Sequence, residues 1–171
     1  MAGLALLGYV LARRRIRIAS LGLRWSFGDL GGGLLVAVVA YLAYAGGLAL
    51  IHLFNSATHS PSQSAQIARA MFGHPSILAI PYTIVNPFFE ELIVRAYLMT
   101  EVRALTGSWI LAAALSVVVQ FSYHLYYGWE GAIGLSFVFL VSAIYYARTQ
   151  KATPIIVAHG IFDIPALIRL W

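Results

Sequence analysis

The chain has 171 residues, 61% of them hydrophobic and only 10% charged, with a mean hydropathy of +0.82. Soluble domains carry about 25% charged residues, so this composition excludes an ordinary soluble domain and points to a membrane protein. The net charge of +5 sits mainly in short connections between apolar runs, which argues against nucleic acid as a partner, and the lack of cysteine excludes disulfides and thiolate chemistry.

The first twelve residues are apolar and precede Arg13-Arg14-Arg15-Ile16-Arg17. A secretory signal has the reverse order, and twelve helical residues cannot cross about 30 Å of hydrocarbon. They read as a partial or interfacial helix, the remnant of a longer N-terminal span being one reading. Five spans follow, at roughly 30–54, 76–100, 108–127, 131–148 and 153–170, with a Ser/Gln/His-bearing loop at about 55–75. The fold expected is therefore all-α, a polytopic transmembrane helical bundle. Residues 1–29 form the partial helix and a basic cytoplasmic segment, and residues 30–171 form the membrane-embedded domain.

The basic residues set an orientation. Arg13, Arg14, Arg15, Arg17, Arg24, Arg103, Arg148 and Lys151 fall on one side of the expected spans, against Arg69 and Arg169 on the other. The richer side is expected to be cytoplasmic, with the C-terminus outward.

The second span carries Asn86-Pro-Phe-Phe-Glu90-Glu91-Leu-Ile-Val-Arg95. Each ion near the centre of a membrane helix costs roughly 2.5–3.5 kcal/mol, so Glu90 and Glu91 are expected to face a polar cavity and act there. Glu91 and Arg95 have salt-bridge spacing, and Asn86 lies one turn before Glu90. Glu90 is thus expected to be the freer carboxylate. His124 lies near the end of the third span, and His159 and Asp163 are one turn apart in the last. Spans two and three turn near Thr106-Gly107-Ser108, which puts Glu90 and His124 at similar depth. His159, ~12 Å beyond the turn at Lys151, needs tilted or staggered helices to reach that depth. Taken alone, His124 would read as an interfacial histidine, and His52, His59 and His74 read as structural. Tyr126, Tyr127, Trp129 and Trp171 read as interface anchors.

Together these segments resemble the type II CAAX prenyl endopeptidases and their bacterial CPBP (Abi) relatives, over about residues 80–165. Glu90-Glu91-Leu-Ile-Val-Arg95 matches the family's EExxxR motif, His124 the histidine of FxxxH, and His159-Gly-Ile-Phe-Asp163 the HxxxN/D motif. Gln120 stands where the family has Phe.

The resemblance implies a multi-pass membrane protein of a bacterial or archaeal cytoplasmic membrane that hydrolyses a peptide bond of a membrane-associated peptide or protein. Glu90 with His124 would activate water, His159 would serve the oxyanion, Asp163 would position His159, and Arg95 would hold Glu91. Metal use stays open: Glu90, His124 and His159 would suit Zn²⁺ or another divalent metal, or act with no cofactor. Two other readings remain, a non-catalytic membrane partner such as a bacteriocin-immunity or scaffold protein, and an ion or proton transporter.

Overall fold

A computed structural model describes residues 2–54 and 79–170. Among them no strand occurs, and the chain is built as α1 (Ala2–Arg13), α2 (Phe27–Phe54), α3 (Ala79–Glu90), a π-helical stretch (Glu91–Tyr97), α4 (Leu98–Thr106), α5 (Trp109–His124), α6 (Gly128–Thr149) and α7 (Ala152–Leu170). Short 3-10 turns occupy Ile18–Leu21 and Leu125–Tyr127. The all-α expectation holds, and the expected spans fall on these helices within a few residues. The exception is the second, which continues past residue 100 to Thr106. The expected loop at 55–75, with His59, Arg69 and His74, lies outside the described residues, as does Trp171.

Turn chemistry explains the main hairpin. Gly107 has φ +71 and ends α4, and Ser108 caps α5 by accepting a hydrogen bond from Leu111 N at 3.2 Å. The stretch Trp109–Thr149 is continuous in its apolar character, and it and Phe27–Leu53 are long and apolar enough to cross a membrane. It folds back at Leu125–Tyr127, because Trp109 at its start meets Tyr146 near its end, edge to face, 6.3 Å apart.

Small residues bring the helices together. Ala96, Ala112, Ala143 and Ala152 are fully buried, and a Cβ on Gly33 of α2 would stand 2.7 Å from Val157 of α7. Outside, the pattern reverses that of a soluble protein. Helix α2 is apolar all round yet leaves Leu34, Leu35, Tyr41 and Leu42 about 60% exposed. Glu90, Glu91, Arg95, Ser116 and Gln120 are buried instead. An apolar exterior over a charged interior is the arrangement that hydrocarbon favours.

The basic connections gather at one end of the bundle. Arg14 pairs with Glu101 at 2.6 Å, Lys151 pairs with Asp29 at 3.0 Å, and the Gly22 carbonyl accepts a hydrogen bond from Ala152 N at 2.9 Å. These contacts join segments 13–29, 101–107 and 148–152. The Asp29 carboxylate beside Lys151 holds that ammonium above the ordinary lysine range.

Candidate active site

Four helical elements supply the predicted residues. Glu90 ends α3, Glu91 and Arg95 lie in the π-helical stretch, His124 ends α5, and His159 and Asp163 lie on α7. Pro87, inside α3, cannot donate a backbone hydrogen bond to the turn before it, and the π stretch follows four residues later. Single π turns interrupt α-helices mostly at functional sites. Here the wider turn leaves the spacing of Glu91 and Arg95 short of a full turn. Arg95 Nε sits 3.6 Å from Glu91 Oε2, an ion pair but not a hydrogen bond, and neither atom has a hydrogen-bond partner.

Arg95 is anchored elsewhere. Its guanidinium donates from Nη1 to Ser116 Oγ at 2.5 Å and from Nη2 to Gln120 Oε1, both on α5. Its charge also lies 5.8 Å from the Phe139 ring centroid. The expectation that Arg95 holds Glu91 is met as a charge pair, while the hydrogen bonds go to the neighbouring helix.

Glu90 is not the freer carboxylate. Asn86 Nδ2 donates to its Oε1 at 3.3 Å, while Gln120 Nε2 at 3.2 Å and the Tyr123 hydroxyl at 3.0 Å both donate to Oε2. The Asn86 contact was expected from spacing; the two from α5 were not. All three partners are neutral, so Glu90 is positioned without a cation in contact. Glu91 has the opposite surroundings, with Arg95 on one side and His159 on the other.

His159 meets Glu91 directly, its Nδ1 lying 2.9 Å from Oε1. The depth problem posed by the sequence is solved by stagger. Tyr146 OH is 3.3 Å from both Ala96 O and Leu21 O, and Leu21 adjoins the Gly22 carbonyl that receives Ala152 N. Helix α7 therefore starts level with Ala96–Thr100 rather than with the turn at Gly107. Seven residues up α7 is ~11 Å, which reaches the height of Glu91. Asp163 is farther off, 3.6 Å from His159 Nε2. The carboxylate that hydrogen-bonds His159 is thus Glu91, while Asp163 faces the other ring nitrogen as a charge partner.

His124 is buried at the same level as Glu90, one residue beyond Tyr123, as the hairpin arithmetic requires. Its Nδ1–H donates to the Gln120 carbonyl at 2.8 Å, which leaves Nε2 as the basic nitrogen of the neutral ring. Tyr123 and Phe139 pack on the ring at 4.7 Å, and Tyr126 and Tyr127 stack on it near 6 Å. Tyr126 and Tyr127, read from sequence as interface anchors, also wall the imidazole. His52 is exposed at the end of α2, away from these residues.

As a metal site the arrangement does not fit. Among the described residues no three His, Cys, Asp or Glu side chains converge as a ligand set.

Ser116, Gln120 and Tyr123 are the participants the sequence reading did not assign. Their signal was present: with His124 they are the i, i+4, i+7 and i+8 positions of one face of an otherwise apolar helix.

A family model described as type II CAAX prenyl endopeptidase Rce1-like matches residues 72–165, more than half of the chain. No curated protein and no solved structure matches. With the double-glutamate motif, both histidines and this match all falling within one stretch, the chain belongs to the Rce1-like family of type II CAAX prenyl endopeptidases.

Proposed function

We propose that this chain is an intramembrane endopeptidase in which Glu90 and His124 activate water and His159 stabilises the oxyanion. Among the described residues Glu90 Oε1 accepts one hydrogen bond, from Asn86, so it retains capacity to accept a proton from water. His124, with Nδ1 bound to the Gln120 carbonyl, would offer Nε2 as the second acceptor. The hydroxide formed attacks the peptide carbonyl carbon. Charge then develops on the carbonyl oxygen, where His159 donates from Nε2 while Glu91 compensates its positive charge at Nδ1. Collapse of the tetrahedral intermediate breaks the C–N bond. The proton taken from water passes to the leaving amine, and Glu90 and His124 return to their starting forms.

The single observation that carries this reading is the division between the two glutamates: Glu90 is held by neutral donors alone, and Glu91 by Arg95 and His159. One carboxylate is left to handle a proton, the other to hold a cation. No step passes through a metal. The substrate class is a membrane-associated peptide or protein, of CAAX type or related, reached within the bilayer.

The test is mass spectrometry of new peptide termini in membranes of cells carrying the parent protein or Glu90→Ala. Termini that depend on Glu90 support proteolysis and identify a substrate. Identical sets at equal protein abundance overturn it in favour of a non-catalytic membrane partner.

A further inference from the structure

Gln120 is fully buried and stands between the Arg95 cation and the Glu90 carboxylate. Its amide oxygen accepts from Arg95 Nη2, its amide nitrogen donates to Glu90 Oε2 at 3.2 Å, and its backbone carbonyl receives His124 Nδ1–H at 2.8 Å. Only one orientation of the amide works. Reversed, NH₂ would face a guanidinium that can only donate, and the oxygen would face a carboxylate. An ionised glutamate here could accept from Arg95 but could not donate to Glu90. A hydrocarbon side chain of similar size could do neither.

We propose that Gln120 is a positioning residue for Glu90, tying its Oε2 to the Arg95 anchor so that Oε1 is turned toward the reacting water. Arg95 is itself fixed by Ser116, whose hydroxyl donates to the Val94 carbonyl of the π stretch, so the tether runs through Ser116, Arg95 and Gln120 to the carboxylate. Tyr123 donates to the same Oε2, so two donors hold that oxygen and none but Asn86 reaches the other. The effect on catalysis rests on the endopeptidase reading above; the effect on the Glu90 carboxylate does not.

The experiment separates the two functions of the amide. Gln120→Met removes both contacts, and Gln120→Glu keeps the acceptor for Arg95 while deleting the donor to Glu90. Formation of Glu90-dependent termini is expected to slow at least ~10-fold in both variants, with Gln120→Glu melting close to the parent in detergent. Parental cleavage in Gln120→Glu would overturn the proposal, because Gln120 would then serve only to anchor Arg95. A second measurement needs no substrate. With carbon-13 at the carboxyls of the four glutamates, the infrared carboxylate band lost in Glu90→Gln belongs to Glu90, and Gln120→Met is expected to shift it. An unshifted band overturns the proposal. A shifted band in a parent protein that makes no Glu90-dependent termini supports the placement of Glu90 by Gln120, and overturns the proteolytic reading instead.

Discussion

Glu91 Oε1 lies 2.9 Å from His159 Nδ1, joining residues 68 positions apart, and the same carboxylate faces Arg95 at 3.6 Å. Glu91 is therefore the shared counter-ion of two helices, whereas Glu90 takes hydrogen bonds from three uncharged groups. The adjacent glutamates do different work because the π stretch begins between them.

Stability is expected to separate the pair. Glu91→Ala strands the fully buried Arg95 without its counter-ion, and breaking a buried pair typically costs about 3–5 kcal/mol. Glu90→Ala leaves neutral donors unsatisfied, two of them on α5, at about 1–3 kcal/mol. Both variants should lose activity. Thermal melting in detergent should nevertheless place Glu91→Ala and Arg95→Ala well below Glu90→Ala; equal melting would show that Glu91 does not compensate Arg95.

Much of this was legible in sequence because polar residues in apolar spans are few and expensive. Glu90, Glu91, Arg95, His124, His159 and Asp163 stand out for that reason, and the hairpin at Gly107 fixes the relative depth of Glu90 and His124 by counting. What counting could not give was the helix type. An α-helical spacing rule pairs Glu91 with Arg95 by hydrogen bonds, and the π stretch loosens that pair to 3.6 Å and sends the guanidinium to Ser116 and Gln120. Nor could it give the stagger of α7, which depends on Tyr146 and Gly22 locking that helix's start to the π stretch at Ala96. Gln120 was visible as a departure from the family motif and as one of the polar positions on a face of α5; its contacts with both Arg95 and Glu90 needed the partners' positions.

The two carboxylates near His159 make a second contrast. Glu91→Gln removes the charge that supports His159 while keeping the side chain's shape. A loss of at least ~100-fold in cleavage is expected, ~2.7 kcal/mol of transition-state stabilisation. Asp163→Asn removes no hydrogen bond to His159, since 3.6 Å exceeds hydrogen-bond range. Its loss should stay within ~10-fold. Initial rates of terminus formation, normalised to protein abundance, check both, and a larger loss for Asp163→Asn would return the positioning role to Asp163.

Metal removal should leave the protein's activity intact. A zinc site needs three convergent protein ligands, and among the described residues no three His, Cys, Asp or Glu side chains converge. Elemental analysis of purified active protein is expected to find well under one equivalent of transition metal, and incubation with a strong chelator should not slow cleavage. Stoichiometric metal whose removal and return switch activity off and on would refute the metal-free chemistry proposed above.

Orientation follows from the end of the bundle where the basic connections meet. Segments 13–29, 101–107 and 148–152 are joined there by the Arg14–Glu101 and Lys151–Asp29 pairs. Those two cations are partly compensated, yet Arg13, Arg15, Arg17, Arg24, Arg103 and Arg148 add to the same end, and such an excess is held in the cytoplasm. The chain has no cysteine, so single cysteines report without background. Gln150→Cys, at the exposed turn before α7, should resist an impermeant thiol reagent in intact cells and react after the membrane is opened. Ser62→Cys, outside the described residues, should react in intact cells. Because the contacts at the basic end hold three connections together, a reversed result at Gln150 would invert the whole bundle. Peptide entry would then be sought from the opposite face of the membrane.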